Sequence, residues 1–379
     1  MTVQWRGDGT MNLADMLTFA DIVHLNRIAV YYDCDCKPNS KHELIQGILT
    51  KLGSSSFFET QVRELRLSEI RFLNALLFDD RPYFSMEELI AIAKQSVEGD
   101  VDSGERPRDI VTRLRSSGWL FNGSTHNTRY LYQIPLDMKE RFRRVMVRDL
   151  QNGMTRVSEP SSYREEGHLL AEDLRLFLQY MEQHEVPLNP EGAWYRRNQQ
   201  QLMEHLHIAE PLLGKGGWRF GYGSSFKFYP DRMALLYDYA RHSRYIEEKG
   251  DRVVLTAKGE AHREHAIEDE MIQLFRFWLR LYKGAVPNLL SLVYWIGECA
   301  RPWTSSESLF VHIGPLIRPF YYDTPRSVFD QRIIRMMMHL GMLRQGEHPT
   351  EPSVQMTAWG LKLAGECRIG RNDPGIRLH

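Results

Sequence analysis

The strongest constraint on this chain is a local pattern that occurs three times. SGWLFNG at 117–123, SRYIEEKG at 243–250 and LGMLRQG at 340–346 each follow apolar residues at helical spacing. Those residues are Ile110, Val111 and Leu114, then Met233, Leu236, Tyr237 and Ala240, then Ile333, Ile334 and Met337. In each copy a helix is predicted to end, an apolar pair to enter a strand, and a polar turn with Gly to follow. Gly suits such a turn because it adopts positive φ without steric cost. A second string closes the later copies. VVLTAKGEA at 253–261 and VQMTAWGLK at 354–362 share a strand, Thr, two residues, Gly and a new helix. The Thr hydroxyl is predicted to cap that helix. VPLNPEGAW at 186–194 is a looser copy, with Asn189 in the capping role. Repetition at this scale predicts one supersecondary unit used several times.

Around the first junction the unit reads more fully. Leu67, Ile70, Leu73 and Leu77 form one apolar stripe. Ser85 and Glu88 form a capping box for a helix carrying Leu89, Ile90 and Ala93. A polar stretch at 98–107 precedes a third helix, and 118–135 reads as two strands around a polar loop. Three helices and a hairpin are the winged-helix order. The expected fold class is therefore α+β and mostly helical, with tandem winged-helix modules and short β-hairpins. The Ser-, Gly-, Pro- and Glu-rich segment 150–167 reads as a domain boundary, and a softer one falls around 261–273. The modules are expected at 61–150, 165–265 and 266–379, after a small helical head at 1–60.

In the head, Ile22, Leu25, Ile28 and Ala29 follow helical spacing, and Pro38, Asn39 and Ser40 break the helix. Ser40 and Glu43 then form a capping box for a helix with Leu44, Ile45, Ile48 and Leu49. Helix, short extended link and helix ending in SKHELIQGIL resembles the SAP and Rho N-terminal type of module. That resemblance implies contact with nucleic acid. A two-helix capping or oligomerisation element is the alternative.

A second resemblance lies at 174–206, LRLFLQYMEQHEVPLNPEGAWYRRNQQQLMEHL. Leu174 to Tyr180, Val186 to Gly192 and Trp194 to Arg197 resemble a helix, a strand and turn, and a basic helix start. These parts occur in the N-terminal helicase-associated region of the XPB family. Asn189 departs from the usual Thr. The resemblance covers 165–265 and implies an accessory module that works beside DNA or a motor protein. It does not extend to the motor, because neither G-x-x-x-x-G-K-[ST] nor D-E-x-H occurs.

Other chemistry is mostly absent from the sequence. G-x-S-x-G, H-E-x-x-H and G-x-G-x-x-G do not occur. The run 214–225 is Gly-rich but lacks the Lys-Ser/Thr ending of a phosphate loop, and reads as a loop or hairpin. Cys34 and Cys36 with His24 and His42 lack the paired spacing of structural zinc. His205 and His207 stand two apart on a helix and face different sides. No catalytic residue, cofactor or metal site is expected. The four cysteines make no disulfide framework, the first residues lack a signal-peptide pattern, and no long apolar run occurs, so a cytoplasmic protein without membrane contact is expected.

With 48 basic and 49 acidic residues, the net charge of -1 gives no overall attraction to nucleic acid. Binding would need local patches. Arg106, Arg108, Arg113 and Arg115 lie on the third helix of the first module, the recognition position in winged-helix DNA binders. Arg129 lies in the wing beside Tyr130. Arg326, Arg332 and Arg335 lie on the corresponding helix of the last module, where Thr324 and Pro325 should start the helix. Phosphate contact is one reading of these arginines, and a solvated helix face or salt bridges to acidic neighbours such as Asp109 and Asp330 the other. Arg196, Arg197, Arg219 and Lys227 complete the DNA-binding candidates. The aromatics Trp218, Phe220, Tyr222, Phe226, Phe228 and Tyr229 alternate with Arg219 and Lys227. They suit base stacking or hairpin packing. Residues 275–303 read as interior helix. The expected function is a non-enzymatic, DNA-associated scaffold or regulator, accessory to a helicase or other motor in trans. A protein–protein adaptor without nucleic-acid contact is the alternative, and a divergent nuclease the third reading.

Overall fold

The three repeated junctions share one backbone solution. Helices Pro107–Ser116 and Asp231–His242 and the helical stretch ending in Arg335–His339 each stop at a residue with positive φ. These residues are Gly118 at 70°, Arg244 at 59° and Gly341 at 66°. The next N–H then reaches back five residues. Trp119 donates to the Leu114 carbonyl, Tyr245 to Ala240 and Met342 to Met337, at 2.9, 2.8 and 2.8 Å. This left-handed cap satisfies carbonyls that the helix end leaves open. The Thr strings are equally uniform. Thr256 Oγ1 accepts from Gly259 N–H and Thr357 Oγ1 from Gly360 N–H. The Gly is required by a close backbone approach. A Cβ on Gly259 would lie 2.2 Å from the Tyr245 oxygen, and one on Gly360 2.3 Å from the Met342 oxygen.

The structure is a computed structural model that describes residues 11–79, 81–97, 104–214, 219–347 and 352–366. It is α+β and mostly helical, with small antiparallel sheets. One order recurs: helix, short extended segment, two helices, two-stranded hairpin. In each copy the extended segment pairs with the second hairpin strand. Phe84 pairs with Tyr132, Val186–Pro187 with Arg252–Leu255, and Thr304–Ser305 with Ser353–Met356. The hairpins themselves are Phe121–Asn122 with Tyr132–Gln133, Ile246–Lys249 with Arg252–Leu255, and Leu343–Gly346 with Ser353–Met356. The strands predicted at VVL and VQM are thus the second strands of their hairpins.

The chain divides into two compact units between Gly153 and Met154. In the first, the head and the first copy share one core. Leu17, Leu25, Ile28 and Ile48 are buried with Phe72, Leu73, Ile110 and Leu114. Four helices, Leu13–Phe19, Ile22–Tyr31, Lys41–Gly53 and Ser55–Arg63, stand where two are predicted. The Ser85–Glu88 capping box is complete, whereas Ser40 caps Glu43 N–H but the Glu43 carboxylate turns to Lys37 N–H. Helix Leu136–Gly153, unforeseen in the sequence, packs Phe142 edge-on against Trp119.

In the second unit two sequence expectations are corrected. Asn189 does not cap a helix: its Oδ1 accepts from Glu191 and Ala193 N–H, closing a turn before Arg196–His205 begins. Pro190 and Gly192 favour that turn over a helix start. The boundary read at 150–167 coincides with the division between Gly153 and Met154, and within the second unit Tyr163–Glu165 adds an edge strand to Leu343–Gly346. The described aromatic run 219–229 is an irregular loop with no hairpin. Trp218 and 215–217 lie outside the described residues. Segment 275–303 is two helices, Ile267–Tyr282 and Leu289–Cys299, with Trp278 and Trp295 fully buried. No described helix is long and apolar enough to cross a membrane.

Candidate nucleic-acid interface

The candidate cations separate into exposed groups and groups held in place by neighbouring residues. In the first unit Arg106 and Arg108 start the third helix, and both are exposed. Arg106 Nε stands 3.1 Å from Asp109, an exposed pair worth little in water. Arg129 is exposed on the loop between the hairpin strands and lies over the Tyr130 ring at 4.6 Å. Tyr130 is itself 71% exposed.

Arg113 and Arg115 do different work. Arg113 donates to Glu69 at 2.8 Å and to Glu105, which also accepts from Arg66 and Ser68. Burial opposes the charges of Glu105 and Arg113. The hydrogen bonds outweigh it, so Glu105 is held below the ordinary carboxylate range and Arg113 above its ordinary value. Arg115 lies over the Tyr132 ring of the hairpin at 5.2 Å, and its carbonyl meets His24 Nε2 at 2.9 Å. These two arginines fasten the helix to its surroundings.

In the second unit most of the candidates are tied. Arg219 donates to the Phe226 and Tyr229 carbonyls at 2.8 and 2.6 Å and pairs with Asp231. Arg326 pairs with Glu307 and Asp330. Arg332 is buried, donating to Asp323 at 2.9 Å and to the Phe220 carbonyl at 2.8 Å. Arg335 is exposed but stands 3.2 Å from Asp231. Arg196, Arg197 and Lys227 remain exposed, with Arg196 donating to the Leu213 carbonyl.

Sequence reasoning passed over the charge at the centre of this unit. Arg232, fully buried, donates to Glu166 at 2.7 Å and to Asp173 at 2.8 Å. His339 Nδ1 lies 3.0 Å from the same Glu166 oxygen and 3.2 Å from Arg232. Burial pushes the Glu166 carboxyl up, but His339, Arg232 and Arg164 outweigh it and hold it at about 2. Asp231 and Arg232 begin the third helix of the second copy, while Arg335 and His339 belong to that of the third. The two helices are therefore joined end to side through their polar groups. No motif marks Arg232, which reads like any other arginine at a helix start.

A second group was also passed over. His262 and His265 lie at H-x-x-H spacing around the tight turn Ala261–Glu264, and the fold brings Glu270 to them. Burial lowers His262 to about 4 and raises Glu270. The spacing is visible in the sequence; the carboxylate's arrival depends on the break before helix Ile267–Tyr282. By contrast, His24 packs on Phe121, while Cys34 and Cys36 pack beside Gly47.

No family model matches the chain, and no curated protein matches it either.

Proposed function

We propose that the chain is a non-enzymatic, DNA-associated scaffold or regulator built from three winged-helix modules, and that the first module makes the DNA contact. The observation that carries this reading is the repeated pairing of an early extended segment with the second hairpin strand, in three copies with identical helix caps. That is the winged-helix order of elements. Of the three third helices, the first begins with the exposed Arg106 and Arg108, and its hairpin loop carries exposed Arg129 beside Tyr130. Guanidinium groups at a helix start and on a wing suit phosphate contact and shallow groove contact. The resemblance of 165–265 to the helicase-associated region of the XPB family supports a role beside a motor supplied by another chain.

The adaptor reading has its own support. Phe19, Val23 and Val30 expose apolar side chains on the first two helices, and Tyr321 and Tyr322 are 83% and 70% exposed. Pull-down from the native host with and without nuclease separates the two. DNA-dependent recovery of partners supports the first reading; nuclease-resistant partners with no DNA binding by the pure protein support the second. Purified protein is expected neither to hydrolyse ATP nor to cleave nucleic acid with Mg²⁺. Turnover lost on mutation of one of its own residues would overturn the non-enzymatic reading.

A further inference from the structure

The three polar groups gathered at the end of the second module have the composition and spacing of a metal site. His262 Nδ1 and His265 Nδ1 are 2.8 Å apart, and Glu270 Oε2 lies 3.5 and 3.7 Å from them. A point equidistant from three atoms so spaced is about 2 Å from each, the length of a zinc–nitrogen or zinc–oxygen bond. The backbone accounts for the arrangement. In a 3₁₀ turn residues three apart lie on one side, which aligns the two imidazoles. Glu270 is in the first turn of the following helix.

The surroundings orient these groups. Tyr239 OH donates to the other Glu270 oxygen, and Arg175 donates to the His265 carbonyl. Outer hydrogen bonds of this kind fix ligand orientation in metal centres. His262 and Glu270 are buried, whereas the His265 side chain is half exposed. The His265 side is therefore the side open to solvent, where a fourth ligand such as water can approach. Without an ion, the short imidazole contact requires one Nδ1 to carry a proton and the other to be bare. An ion would replace that proton and bind both nitrogens with the carboxylate.

We propose that His262, His265 and Glu270 bind one divalent ion of the zinc class, with the fourth position left to solvent. Arg175 and Lys258 lie close enough to oppose added positive charge. The site is accordingly expected to be weaker than an all-thiolate one.

The test uses the full chain without a histidine tag, stripped with chelator and titrated with ZnCl₂ by calorimetry and with Co²⁺ by visible absorption. One zinc per chain, intense tetrahedral-type cobalt bands and a raised melting temperature are expected. His265→Ala, at a half-exposed position that the fold tolerates, should weaken binding by at least about 100-fold. Glu270→Gln should do the same, and His205→Ala should change nothing. If Glu270→Gln does not fold, His265→Ala decides alone. Absence of zinc binding by the folded wild type would overturn the proposal, as would binding that survives His265→Ala unchanged.

Discussion

The first unit and the second build the same helix–hairpin device, yet they spend their arginines differently. In the first, the third helix opens with Arg106 and Arg108 in solvent. In the second, the third helices of two copies are joined through Asp231, Arg232, Arg335 and His339, around a buried Arg232–Glu166–Asp173 cluster. A repeated element can thus keep its backbone while its polar surface turns from a free face into an internal fastening.

The largest effect expected from this contrast is Arg232→Ala. Removing Arg232 leaves buried Asp173 with only the His207 N–H and Glu166 with only Arg164 and His339, at a cost of about 3–5 kcal/mol. Hydrogen exchange should register the loss in the second unit alone. Arg106→Ala, on an exposed helix start, should cost less than about 0.5 kcal/mol in the first. Comparable costs at the two sites would break the contrast.

Acid should separate the units next. The Glu166 carboxyl is held at about 2 when folded, against an ordinary value of 4.5. A depressed carboxyl stabilises the folded state above its unfolded value, and that stability is lost as pH falls from 4.5 toward 2. At 1.36 kcal/mol per pH unit the loss is roughly 3 kcal/mol. Glu105 in the first unit is depressed as well, but Glu166 is shifted further, so denaturation series between about pH 6 and pH 3 should show the larger decline in the second unit. Glu166→Gln should flatten it.

The helix caps sharpen the comparison at smaller scale. A Cβ on Gly341 would lie 1.9 Å from the Gly167 oxygen, whereas on Gly118 it meets Ile28 side-chain atoms at 3.5 Å and Phe121 Cζ at 3.8 Å, all ordinary contacts. Gly118→Ala should cost about 1–2 kcal/mol for the left-handed backbone alone. Gly341→Ala should cost about 2 kcal/mol more, because backbone must move. Arg244 occupies the equivalent position with φ 59°, and Arg244→Gly should stabilise by about 1 kcal/mol. Chemical denaturation of the three variants checks the order.

Much of the local framework was legible in the sequence because it is local chemistry. Thr256 and Thr357 announce their caps, Thr324 and Pro325 start a helix as read, and the junction strings mark three hairpins. The Gly in those strings was visible, but its reason at 259 and 360, contact with a carbonyl from the preceding junction, appears only in three dimensions. The candidate site was less legible. Helical spacing places Arg106, Arg108 and Arg113 on one helix, but cannot show that Glu69, from an earlier helix, and Glu105, just before this one, both claim Arg113. Arg332 likewise looked like a surface cation until Asp323 and the Phe220 carbonyl enclosed it. Pairing between distant segments carries no periodic signature.

The first module's exposed arginines, and not the tied ones of the second unit, are the groups expected to meet DNA. Fluorescence-anisotropy titration of duplex DNA with the full chain across a salt series tests this directly. Binding by the wild type is expected at low salt, and its loss in the Arg106→Glu, Arg108→Glu, Arg129→Glu triple variant with native circular dichroism. Single Arg→Ala changes at these positions should reduce the log–log salt slope by about 0.9 for each phosphate contact removed. Arg335→Gln should leave affinity and slope unchanged. Undiminished DNA affinity in the folded triple variant, or no binding by the wild type at low salt, would contradict it.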